Sequence, residues 1–287
     1  MGTFGAVLAV DLLEPLTYGF FRSGLVVATA AGALCGLVGV FVLLRGMSYL
    51  GHGLSHAVFG GAAVSAVMGV SYFLGAGLWG LLSALLIGRI TRRHPVGADA
   101  AIGLVTTASF AAGLAIQARA GAAAASIESV LFGNVLGVVT GDVVAVVAVG
   151  AAVTAVVLAL ARRLAFVTFD ADVASVSGLP TARLDALLMV ALSATILVTI
   201  RVVGVLLISG LLVLPTVAAR AMTNRFGRLL WLSPALGAAM GAVGMYASWF
   251  ADVPSGAAIV LVGSAIVALA FAVPSARRGR VAADAHA

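Results

Sequence analysis

Long apolar runs broken by short polar clusters dominate this chain. Leu25–Leu44, Val143–Ala161 and Val202–Ala219 each extend for about the 20 residues that a helix needs to cross a hydrocarbon core roughly 30 Å thick. Lipid offers backbone amides no hydrogen-bond partners, so a chain with many such runs must cross as helices. The alternating ten-residue pattern of a membrane barrel is absent. The pattern predicts an all-α, polytopic bundle with spans near 23–44, 48–70, 72–90, 99–119, 142–161, 184–200, 203–219, 229–250 and 255–273. That makes about nine crossings, with eight to ten allowed. Arg22 interrupts the approach to the first span, and Arg201 alone marks the turn between the sixth and seventh.

Composition supports the same class. Of 287 residues, 63% are hydrophobic and only 9% charged, and the mean hydropathy is +1.21, well outside soluble usage. The formal charge of +6 invites a nucleic-acid reading, but the cations sit at the ends of apolar runs. They form the groups Arg89/Arg92/Arg93, Arg162/Arg163, Arg220/Arg225/Arg228 and Arg277/Arg278/Arg280, the marks of cytoplasmic loops under the positive-inside rule. They report topology and imply no nucleic-acid partner. The resulting path has an external N-terminus and a cytoplasmic C-terminus. It forms one transmembrane domain over 1–287, with a membrane-embedded core over 22–274 and a frayed cytoplasmic tail over 275–287. Asp11 and Glu14, with no basic stretch before them, predict that the N-terminus is not a cleaved signal. The stretch 120–141 contains no Arg. With Glu128, Asn134 and the adjoining Asp142 it reads as an external or re-entrant loop, where these groups either attract a cation or are simply solvated.

Glycine is abundant, with 35 residues, and recurs at small-residue spacings such as Gly32/Gly36 and Gly237/Gly241, which predicts close helix packing within the bundle. The single cysteine, Cys35, lies in an apolar run and should pack as a small side chain.

Each ionisable group near hydrocarbon needs a reason, because burying one is costly unless it is paired or hydrated. His52 and His56, in MSYLGHGLSHAVFGG, are four residues apart. On a helix they share one face, separated by roughly 6 Å of rise, and can reach one cation. Imidazole suits zinc, copper, nickel and iron, while oxygen ligands suit manganese and magnesium. The competing reading has them hydrogen-bonding a carbonyl or Ser55 within the bundle. A protease of the HExxH type would need a general base at position 53, which is Gly. Asp99 is either a helix cap or a group on the ion path. In FDADVASVSGLP, Asp170 or Asp172 can cap a short helix that ends at Gly178 and Pro180, serving as a plain connection or as a dock for a soluble partner. The chain has no Lys, so it cannot contain a G-x-x-x-x-G-K-[ST] nucleotide loop, and it is not expected to be an enzyme.

Six motifs in order, GLVGVFVLLRGMSYLGHGLSHAVFGG, DAAIGLV, SVLFGNVLGV, FDADVASVSGLP, VVGVLLISGLLVLPTVAARAMT and DVPSGAAIVLV, make the chain resemble the zinc/manganese class of ABC-importer permeases over nearly its whole length. The resemblance implies a multi-pass protein of a prokaryotic plasma (inner) membrane, working as a homodimer or a pair of like permease subunits with the ion path at their interface. It further implies cytoplasmic ATPase subunits that carry the ATP, and an external metal-binding protein. No cofactor is held permanently, and the divalent metal, zinc or manganese, is cargo. The path is implied to run along the helix carrying GHGLSHA, which makes His52, His56, Ser55 and Asp99 its candidate residues. In that class an Asp commonly stands where this chain has His52. Two imidazoles lean towards zinc, whereas an Asp/His pair sits more easily with manganese. The stretch Pro215–Leu229 matches the loop that meets the ATPase, a role carried to Pro215, Arg220, Thr223 and Asn224 beside Asp170, Asp172 and Gly178. Competing readings are a permease for a metal chelate and an ion-coupled secondary transporter. The latter should bury acids mid-span, whereas here they cluster at span ends.

Overall fold

A computed structural model describes residues 13–93, 97–120, 137–205 and 208–284, and among these the regular elements are helices. In chain order they are α1 Glu14–Thr17, α2 Gly19–Leu44, α3 Ser48–Met68, α4 Tyr72–Arg93, α5 Ala98–Ala120 and α6 Thr140–Ala159. There follow α7 Ala161–Phe169, α8 Ala171–Val176, α9 Thr181–Val203, α10 Ile208–Met222, α11 Phe226–Ala251 and α12 Ser255–Asp284.

Seven of these helices are long and apolar enough to cross a membrane: α2, α4, α5, α6, α9, α11 and α12. Of the nine expected spans, the two that do not reach that standard are α3 and α10. α3 has 21 residues, but its first half places Ser, Gly and two His where the other spans carry aliphatic side chains. α10 is described over 15 residues, Ile208–Met222, and α9 ends at Gly204 (φ +85°). α12 continues past Pro274 to Asp284, where a frayed tail was expected.

The relative directions of several helices are visible in which glycines face which neighbours. α2 and α11 run antiparallel, with Gly32 against the backbone of Gly237, Gly36 against Ser233 and Gly241 against Ala28. Both small-residue pairs therefore serve packing inside one bundle. α3 is antiparallel to α4, with Gly61 against Gly75 and Gly80 against Val58. It is parallel to α5, where Gly60 faces Ser109 and Gly113 faces Gly60. α9 lies antiparallel on α4, with Leu197 over Gly77 and Met189 over Gly88. No side chain fits where backbones approach this closely, as at Gly32, Gly36, Gly60 and Gly241, and the short separations give dispersion contacts in a solvent that supplies no hydrophobic drive between helices.

The core runs through α2, α3, α9 and α10, with Phe21, Phe41, Leu50, Leu54, Leu192, Ile196 and Ile208 fully enclosed. Cys35 is buried among them. Beside Pro215 and Pro234, which stand inside α10 and α11, buried hydroxyls tie these helices to α2. Ser233 donates to Gly36 O at 2.7 Å, and the Thr216 and Ser233 hydroxyls lie 2.8 Å apart. At one end of the bundle Tyr18, Phe21, Tyr246 and Trp249 pack ring on ring, with Tyr18 and Trp249 centroids 5.3 Å apart, in the manner of an interfacial aromatic belt. At the other end Phe41, Phe226 and Phe169 meet at centroid separations near 6 Å.

Candidate metal pathway and docking face

The helix α3 starts just beyond a tight turn. Arg45 ends α2, Gly46 takes φ +67°, and the bonds Gly46 N–H to Leu43 O and Met47 N–H to Val42 O close it as a Schellman motif. His52 and His56 then occupy successive turns of α3. Their rings meet edge to face with centroids 4.6 Å apart, and His56 stacks onward against Phe110 of α5 at 5.2 Å. His52 is exposed on the surface of the single chain and His56 is half-buried. Neither ring is hidden in the bundle, as a purely packing histidine would be.

Beside them is a cavity of about 270 Å³ lined by Tyr49, His52, Gly53, Asp99, Ile102, Gly103 and Thr106. Gly53 lines it where α5 presses close to α3. A β-carbon there would stand 2.5 Å from Ile102 Cγ2 and 2.7 Å from Thr106 Cγ2. The same closeness leaves no room for a general base at position 53. Asp99 is exposed in the first turn of α5, one residue inside the helix and not at its cap. Residues 47 positions apart in sequence thus open onto one cavity.

Ser55 points the other way. It is fully buried, and its hydroxyl lies 2.7 Å from His52 O and 3.2 Å from Val205 O, so it ties α3 to the chain just after α9. Its side chain does not line the cavity. Asp142 is also buried and caps α6, its carboxylate accepting from Val139 N–H at 3.2 Å. Glu128 and Asn134 lie outside the described residues.

The second group of expected residues gathers at the Arg-rich end. Asp170 caps α8, accepting from Val173 N–H at 2.9 Å, and Asp172 is exposed in its first turn. α8 ends at Gly178 (φ +81°), where Gly178 N–H reaches Ser175 O and Leu179 N–H reaches Ala174 O in another Schellman turn. Arg220 and Asn224 are exposed, and Thr223 Oγ1 accepts from Arg225 N–H at 3.2 Å. Pro215 is placed elsewhere. It is buried within α10, close to Gly237, well inside the bundle. The Phe169–Phe226 contact sets the α7–α8 segment directly against the start of α11, so the two surface stretches adjoin.

Three residues went unnoticed in the sequence. Arg45 donates from Nη1 to Asp185 Oδ1 of α9 at 2.7 Å and from Nε to Thr168 Oγ1 of α7 at 3.1 Å, a tie across 123 and 140 positions that no local pattern announces. Among the described residues it is the only ion pair within 4.0 Å. Among those residues, too, no group of three or more His, Cys, Asp or Glu side chains converges as a complete metal site.

A helix bundle with seven helices long and apolar enough to cross a membrane, paired imidazoles on one helix and a basic end defines a polytopic integral membrane protein. The chain belongs to the ABC 3 transport family, whose family model matches residues 17–274, and with it to the permeases of the zinc/manganese class of ABC importers. It is 36% identical over 256 residues to the manganese transport system membrane protein MntC of Halalkalibacterium halodurans, covering 89% of this chain and 88% of that protein. It is 33% identical to the chelated iron transport system membrane protein YfeC of Yersinia pestis, covering 91% of this chain and 88% of that one. Among solved structures, PsaBC from Streptococcus pneumoniae in complex with Fab superimposes with a TM-score of 0.81 at 30% identity. That match covers 91% of this chain and 94% of that one.

Proposed function

We propose that this permease moves a divalent metal ion, zinc or manganese, by alternating access, driven by ATP hydrolysis on separate cytoplasmic ATPase subunits and fed by an external metal-binding protein. The observation that carries the reading is the His52/His56 pair, two imidazoles with centroids 4.6 Å apart, open to the surface of α3 and beside a cavity that also receives Asp99. One chain offers an ion two nitrogen ligands where zinc takes four donors, and a second copy facing the first across α3 completes the set. Because both rings reach the surface, the path belongs at that dimer interface. Asp99 supplies an oxygen donor along it, while Ser55 acts indirectly, fixing the backbone of His52 against Val205. An ion in transit must also leave, so affinity at this site is modest and unlike that of a closed structural zinc site.

The exposed end formed by Asp170, Asp172, Gly178, Arg220, Thr223 and Asn224 is the dock for the ATPase, on the cytoplasmic face of a prokaryotic plasma membrane. Pro215 acts from inside α10. The test is uptake by proteoliposomes of the complete complex, with zinc and manganese in competition. His52→Ala and His56→Ala should each abolish most uptake at unchanged abundance and ATPase assembly, and His52→Asp should retain uptake while shifting preference towards manganese. Wild-type uptake in both Ala variants would refute a pathway at this pair. The name of the YfeC relative keeps a metal chelate as the competing cargo, and uptake of chelated iron that persists in both variants would favour it.

A further inference from the structure

Arg45 is costly for a residue at the end of a membrane helix. Its side chain is only 11% exposed and Asp185 only 23%, and a guanidinium stays charged whatever its surroundings. Two of its nitrogens are engaged, Nη1 with Asp185 and Nε with Thr168, while Nη2 is buried without a hydrogen-bond partner among the described residues. If the cluster served only to hold helices together, well-packed apolar side chains would do so without desolvating an ion pair or stranding a donor. A planar fork does something packing cannot. It fixes the mutual position of several elements at once, with direction.

The elements it joins are informative. Thr168 lies in the last turn of α7, two residues before Asp170, whose carboxylate caps α8. Asp185 lies in the first turns of α9, which runs on to Gly204 and Val205 at the junction that Ser55 grips. Arg45 itself is the C-cap of α2, and the Schellman turn at Gly46 sets the departure angle of α3, so that His52 follows seven positions later. The guanidinium is therefore where the α7–α8 segment, the start of α9 and the root of the histidine helix meet.

We propose that Arg45 is a positioning residue that couples the α7–α8 segment to the α2–α3 turn, so that a shift of α8 reorients the helix bearing His52 and His56. The proposal rests on reading α8 as the ATPase dock. A displaced α8 carries Thr168 with it and pulls on Nε. The turn at Gly46, closed by its own two hydrogen bonds, passes the movement to α3 as a rigid unit, and the spare Nη2 donor is available for a new acceptor in the shifted arrangement.

The experiment uses the complete complex in proteoliposomes and reads metal uptake per ATP hydrolysed. Thr168→Val deletes one acceptor from a surface-proximal position, and Arg45→Lys keeps the charge but loses the fork. Each should lower uptake per ATP by roughly tenfold, the scale of one charge-assisted hydrogen bond, with unchanged co-purification of the ATPase. The double variant Arg45→Met with Asp185→Leu removes the charges together and should assemble yet remain uncoupled. Wild-type uptake per ATP in Thr168→Val, or in the double variant, would overturn the proposal and leave the cluster a packing device. A Ser177→Cys cross-link to the ATPase in a Cys35→Ser background separates the two readings. Its absence refutes the dock itself, whereas its presence with wild-type coupling refutes only Arg45.

Discussion

Gly53→Ala adds one methyl group where α3 meets α5, and its cost can be worked from the geometry. The new β-carbon would lie 2.5 Å from Ile102 Cγ2 and 2.7 Å from Thr106 Cγ2, about 1 Å inside the separation at which carbon atoms attract. Neither neighbour yields easily. Ile102 is β-branched and stiff at χ1 in a helix, and Thr106 is held by its hydroxyl, which donates to Ile102 O at 2.8 Å. The helices must therefore part. Overpacking of this kind costs about 1–3 kcal/mol, and for a chain of this size each kcal/mol lowers the melting temperature by roughly 2–4 °C. The separation also widens the cavity shared by His52 and Asp99, so uptake should fall beyond what the loss of folded protein explains. Thermal unfolding of the purified chain and uptake at matched abundance measure the two effects. In a background of Ile102→Ala and Thr106→Ser, which removes both obstructing methyl groups, the added methyl should cost little. An unchanged melting temperature in Gly53→Ala alone, or the same penalty in that background, would refute the reasoning.

Two further outcomes follow from local geometry. Ser55→Ala leaves the buried Val205 carbonyl without the hydroxyl that lies 3.2 Å away and should cost about 1–3 kcal/mol. Ser55→Thr, which restores a hydroxyl, should recover part of the lost uptake, and equal uptake in Ala and Thr variants would show that the hydrogen bond is idle. Gly178→Ala forces a β-carbon into φ +81° at an open surface site, where space is free but conformation is not, costing about 1–2 kcal/mol. α8 should loosen, and uptake per ATP should drop while the melting temperature of the bundle holds. Unaltered coupling would remove the α8 terminus from the docking reading.

The sequence by itself determined the class, most of the elements and the pairing of two imidazoles on one helix face. Apolar runs of about 20 residues leave the backbone one way to satisfy itself in lipid, and that is a local requirement readable from one segment at a time. The i, i+4 spacing of His52 and His56, the cap at Asp170 and the stop at Gly178 are equally local, so they were legible before any contact was known. α3 and α10 sit at the edge of that legibility. The polar residues that make α3 chemically useful are the ones that lower its apolar character, and α10 is described over only 15 residues. Tertiary structure decided what lies between helices. It put Asp99 beside His52, turned Ser55 away from the cavity towards Val205, buried Pro215 and joined Arg45 to Thr168 and Asp185. Such pairings depend on the rotation and depth of each helix, set by backbone approaches such as Gly32 on Gly237 and Gly60 on Gly113. A sequence period fixes which residues share one helix face, but the face a neighbouring helix presents in return depends on packing that no single segment encodes.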